Sequence, residues 1–149
     1  MLREGSGLGE RGVRTSAVAL GVVTDFAATL VGLVGLAISL SVAANGSPEG
    51  AAGGFAAGLG ALLETQSVGL SIVGINAGAS AIGGFAAGAA AGRAQVRHAF
   101  LTGCIVLALG LFLAFESPDE LAYWDSLCSL ALTIPAALVG GWLARGRRR

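Results

Sequence analysis

Four long apolar runs, separated by short polar segments, organise the chain: 17–44, broken only by Asp25 and a few hydroxyls, 67–92 without a charge, 99–115 likewise, and 127–144. Crossing the hydrocarbon of a bilayer takes roughly 20 apolar residues as a helix, with about 17 to 25 as the working range, so each run is long enough. The spacing predicts membrane-spanning helices over about 17–44, 67–92, 98–115 and 121–144. A fifth apolar run, Ala51–Leu63, is too short to span. It predicts a short helix over about 48–64, roughly 25 Å long, on the outer face. That helix either lies in the interface or dips partway in, since half-spanning pieces survive only where protein covers them. The expected fold is all-α: a single integral membrane domain, a four-helix transmembrane bundle with glycine-rich close packing and an extra short helix outside.

Composition sharpens this. The chain is 54% hydrophobic and only 12% charged, against about a quarter charged in ordinary soluble proteins, which excludes a soluble domain. Its net charge of zero hides an asymmetry, because all nine cations are arginine. They fall in three groups: Arg3, Arg11 and Arg14 before the first run, Arg93 and Arg97 between the second and third, and Arg145 with Arg147–Arg149 after the fourth. Glu49 and Glu64 lie between runs one and two, and Glu116, Asp119, Glu120 and Asp125 between runs three and four. Four crossings bring every arginine to one side, which the positive-inside rule makes cytoplasmic. The expected location is therefore a prokaryotic plasma membrane, with both termini in the cytoplasm. Counting 51–63 as a fifth span would scatter the arginines across both faces. A cleaved signal peptide fits poorly, because the first run far exceeds a 7 to 15 residue signal core and carries Asp25.

Both outer turns carry helix-start chemistry. Ser47–Pro48 and Ser117–Pro118 place a capping hydroxyl before a proline at the first helical position, with acids in the first turn. Helices should begin at Pro48 and Pro118, and Ser117 with Glu120 fits a capping box. Tyr123 and Trp124 enter the fourth span at interface depth.

GGFAAG occurs twice, at Gly53–Gly58 and Gly83–Gly88. Extended, the copies become ladders of residues four apart, Gly50, Gly54, Gly58 and Gly84, Gly88, Gly92, each lying on one helical face. Such flat strips let helix backbones touch, which matters in lipid because apolar burial no longer drives helices together. Similar spacing at Gly74 and Gly78, and at Ala28 and Gly32, extends the expectation to the whole bundle. The nearer counterpart of GGFAAG…R at 83–93 is GGWLAR at 140–145, since both close an outward-to-inward span with Gly-Gly-aromatic and then arginine.

From about Val68 onward, Ile82–Gly103 (IGGFAAG…GRAQVRHAFLTG), an acidic outer turn and Ile134–Ala144 (IPAALVGGWLA) together resemble the small four-span prokaryotic integral membrane proteins of unknown function whose second span closes in a GGF-type motif. The resemblance covers a little over half the chain. It implies the four-span architecture and transfers no catalytic residues. The segment 47–66, with its own GGFAAG, is additional to that pattern.

Few residues offer chemistry. Asp25 is the one ionisable side chain well inside a predicted span, a costly placement that marks a functional candidate. Two readings compete: a structural pair with Arg93 or Arg97 or a near-interface carboxylate, and a proton or ion site. His98, the sole histidine, reads as a solvated residue at the start of span three, or as a switch or ligand. Asn76, with Thr133 and Pro135, suggests interhelical hydrogen bonding or a midplane substrate site. Cys104 and Cys128 sit toward opposite ends of neighbouring spans, too far apart to bond, and read as small apolar residues. With one histidine, no metal-like cysteine spacing and no phosphate-binding or nucleophile motif, no cofactor, metal or enzymatic activity is expected. The expected partners are the lipid bilayer and a second copy or another membrane protein, with no nucleic acid. The expected role is packing and assembly; the alternative is a small oligomeric transporter or channel using Asp25 and Asn76.

Overall fold

A computed structural model of the chain describes residues 13–45, 66–115 and 120–147. Four helices account for nearly all of them: α1 (Thr15–Asn45), α2 (Gln66–Ala91), α3 (Gln95–Phe115) and α4 (Glu120–Gly146), with no strand among the described residues. All four are long and apolar enough to cross a membrane. Their bounds follow the hydropathy pattern to within a few residues. The expected outer helix over 48–64 lies outside the described residues, together with Gly50, Gly54, Gly58 and the proposed starts at Pro48 and Pro118.

Contacts fix the register. Gly21 of α1 faces Gly83 and Ala87 of α2, while Gly32 faces Ile75, so these two helices run antiparallel. Gly103 of α3 meets Ala137 of α4, and Gly141 meets Ala99 and Gln95, another antiparallel pair. Gly84 and Gly88 of α2 meet Ala137 and Ala144 of α4, so α2 and α4 run parallel. Helix α2 packs on all three others, with its largest contact to α4. This up-and-down order puts Arg14, Arg93, Arg97, Arg145 and Arg147 at one end of the bundle.

Burial is inverted relative to a soluble bundle. Most buried positions are alanine, glycine, serine or threonine, while Leu30, Val31, Leu70, Phe112 and Trp142 are exposed. Lipid solvates large apolar side chains as well as a protein core does, so burying them gains little. Small residues go inside because they let backbones approach.

The α2–α3 connection is three residues long, and its geometry follows from two left-handed residues. Gly92 (φ 72°) and Ala94 (φ 53°) both have positive φ. Gly92 therefore closes α2 as a C-terminal glycine instead of serving as the third rung of the packing ladder. Ala94 has no such excuse, since a left-handed L-residue costs about 1–2 kcal/mol. Ala94→Gly should raise stability by up to about 1 kcal/mol, after allowance for glycine's extra freedom in the unfolded chain, read as a higher midpoint of unfolding in mixed micelles.

Close packing does not run through the whole bundle. A methyl group added to Gly84 would lie 2.7 Å from Ala137 Cα, and one added to Gly140 would lie 2.7 Å from the Phe85 nitrogen and overlap the Ala81 carbonyl. Here backbone lies on backbone. The expectation fails at Gly74 and Gly78, where the same methyl would meet nothing within 4 Å. Four-residue spacing puts glycines on one face, but only the neighbouring helix decides whether that face is covered. Both of these glycines are exposed.

Candidate functional site

Four buried polar side chains, Asp25, Ser80, His98 and Thr102, lie where α1 crosses α2 and α3, on the arginine half of the bundle. Asp25 anchors the group. Its side chain is 4% exposed, packed so tightly on α2 that a methyl on Gly83 would come 2.8 Å from Asp25 Cβ. The approach is possible because Gly21, one turn earlier on the same face, and Gly83 present bare backbone to each other. Ser80, also buried, hydrogen-bonds the Asp25 carboxylate. The other oxygen, Oδ1, has no hydrogen-bond partner among the described residues.

That arrangement corrects the expected pairing. Asp25 forms no ion pair with Arg93 or Arg97, and it is not an interfacial, solvated carboxylate. The register explains why: α2 continues for eight residues beyond Gly83 to Ala91, about 12 Å along a helix, and Arg93 lies past that end.

His98 is also corrected. It is 3% exposed, not solvated, and both ring nitrogens have partners. Arg14 donates its backbone N–H to Nε2 at 3.0 Å. Nδ1 lies 3.0 Å from the Ala94 carbonyl. Since Nε2 accepts and Nδ1 faces an acceptor, the ring is the neutral tautomer with its proton on Nδ1. Arg14 also caps α1, as its carbonyl accepts from the amides of Ala17 and Val18. The imidazole thus satisfies a backbone donor at the start of α1, one of those a helix cannot satisfy itself. One turn on, Thr102 donates to the His98 carbonyl at 3.0 Å, and its hydroxyl borders Gly21, so α1 rests directly on α3.

Asn76 lies elsewhere. Its amide donates to Ser129 Oγ on α4 at 3.4 Å, and Thr133 donates to the Ser129 carbonyl within α4 at 3.0 Å. Asp25 therefore belongs to the α1–α2 seam and Asn76 to the α2–α4 seam. Cys104 and Cys128 are both free thiols. Among the described residues, no three His, Cys, Asp or Glu side chains converge as metal ligands would.

Sequence reading missed Ser80, Thr102, Ser129 and the Arg14 amide. Part of this was visible: Gly21 and Asp25, and His98 and Thr102, are each four residues apart and share a face. Which helix each face meets was not visible.

No protein-family model, no curated protein and no solved structure matches this chain. Its architecture therefore rests on its own residues: it is a multi-pass helical protein whose described residues form four apolar helices able to cross a bilayer.

Proposed function

We propose that the protein is a packing and assembly module of a prokaryotic plasma membrane, with both termini cytoplasmic, working as an accessory subunit or a homo-oligomer and not as an enzyme. One observation carries this reading: three polar ties among the described residues sit in separate helix seams, each joining one pair of helices. Asp25 with Ser80 ties α1 to α2, His98 with Arg14 ties α1 to α3, and Asn76 with Ser129 ties α2 to α4. Interhelical hydrogen bonds of this kind set which helices pair and in what register. A transport path would instead bring its polar groups to one shared site. The glycine contacts of α2 and α4 add a stiff centre. The exposed ridge of α1, running through Leu20, Val23, Leu30, Val34 and Ile38, leaves a long lateral surface for lipid or a partner helix. A GGF-type four-span relationship fits the same architecture.

The second reading is a small oligomeric transporter, and the unpartnered Oδ1 of Asp25 favours it, because an intramembrane acid without a counter-ion is a natural place to bind a cation. Reconstituted vesicles separate the two. The assembly reading expects proton and sodium fluxes equal to those of protein-free vesicles, in both the wild-type protein and Asp25→Asn. Flux that appears with the wild-type chain and disappears in Asp25→Asn would replace assembly with transport. Mild extraction followed by native mass spectrometry should then show a homo-oligomer or a stoichiometric membrane partner. Reporters at the carboxyl tail and in the 117–120 bend test the topology, with the tail expected in the cytoplasm and the bend outside.

A further inference from the structure

At the arginine end of α4 one face carries Trp142, Arg145 and Gly146, at the three- and four-residue spacing of a helix, with Leu143 beside them. Among the described residues, these four line an open groove of about 280 Å³. The opposite face of the same turn is occupied, since Gly140, Gly141 and Ala144 are buried against α2 and α3. Among the described residues, the groove face of α4 is therefore the one turned away from the bundle, the side that lipid would meet. Its composition is two-part. Trp142 (66% exposed) and Leu143 offer apolar surface, and the Arg145 guanidinium offers a fork of donors matched to phosphate oxygens.

Charge points to the occupant. The described arginines at this end are Arg14, Arg93, Arg97, Arg145 and Arg147, and the one acid described on this half, Asp25, is buried in the α1–α2 seam. Arg147 is drawn to the other side, over the Phe85 ring of α2 at 5.4 Å from its centroid, a cation–π placement that separates it from the groove face. A tryptophan at interface depth beside an arginine suits a molecule with an acyl chain below and an anion above.

We infer that this groove is a binding site for an anionic phospholipid, with its phosphate on Arg145 and an acyl chain along Trp142 and Leu143. The site goes beyond the assembly role and does not depend on it.

The two tryptophans make it testable. In a Trp124→Phe background, fluorescence reports Trp142 alone. The protein is reconstituted in phosphatidylcholine vesicles, and bromine-labelled acyl chains are introduced on either phosphatidylglycerol or phosphatidylcholine. The expected result is roughly fivefold preferential quenching by the anionic lipid, the scale of one arginine near a charged surface. It should collapse to no preference in Arg145→Gln and persist in the double variant Arg148→Gln, Arg149→Gln. Equal quenching by both lipids overturns the site. So does a preference that survives Arg145→Gln but vanishes with the tail arginines, which would assign it to diffuse tail charge. Circular dichroism of Arg145→Gln keeps the comparison valid; should that variant misfold, Arg145→Lys replaces it and is expected to retain only part of the preference.

Discussion

Gly140→Ala should separate α4 from α2. The new methyl would fall on the Ala81 carbonyl and lie 2.7 Å from the Phe85 nitrogen, and both are backbone atoms of a helix. Overpacking of an ordinary core costs about 1–3 kcal/mol because flexible side chains move aside. Nothing flexible is available here, so the loss should reach about 3 kcal/mol or more, with the two helices forced apart along their whole shared seam. The measurement is the unfolding midpoint in mixed micelles, with Gly78→Ala as the control. Gly78 faces nothing within 4 Å, so its replacement should be neutral or gain up to about 1 kcal/mol from helix propensity. Equal effects at the two positions would mean that the α2–α4 contact is not the centre of the bundle.

The second large effect is expected at His98. In His98→Phe an apolar ring of similar size replaces the imidazole, so the Arg14 amide loses its acceptor and the ring's contact with the Ala94 carbonyl disappears. Each buried polar group left without a partner costs about 1–3 kcal/mol. The Ala94 carbonyl keeps its bonds from the amides of Arg97 and His98, so most of the loss should fall on Arg14. Hydrogen exchange should show it as lost protection at the start of α1. Thr102→Val is the comparison: it removes only a bond to the helix's own carbonyl and should cost no more than about 1 kcal/mol. If His98→Phe leaves Arg14 as well protected as before, the imidazole is a packed neighbour and not a tie between α1 and α3.

Both results follow from the same inversion of packing rules. In water a bundle of this size would be held by large apolar side chains; here those point outward, and cohesion comes from backbone contact and a few polar ties. That makes single small changes unusually costly. A methyl in the wrong seam or one missing acceptor removes a large part of what holds a pair of helices together.

The Asp25 site shows how the two kinds of information divide. Its position inside a span and its cost were evident in the first apolar run, because hydropathy and one charge suffice for that. Its partner was not. The arginines looked available because they share an end of the bundle, yet the distance along α2 puts them out of reach and leaves Ser80 to meet the carboxylate. His98 was misjudged for a related reason. A histidine at a helix start looks solvated until another helix's first turn is placed over it. The glycine ladder divides the same way: Gly84 and Gly88 meet α4, Gly92 turns the chain, and Gly74 and Gly78 stay uncovered.

The sequence by itself determined the helical class, the four helices long enough to span among the described residues and the gathering of the described arginines at one end, because hydrocarbon length and backbone hydrogen bonding leave an apolar chain few alternatives. The tertiary structure decided which seams close on bare backbone, which hydroxyl meets Asp25 and which amide meets His98. Those outcomes depend on the rotation and register of one helix against another, and in a lipid-solvated bundle the hydropathy of each helix is nearly the same on every side.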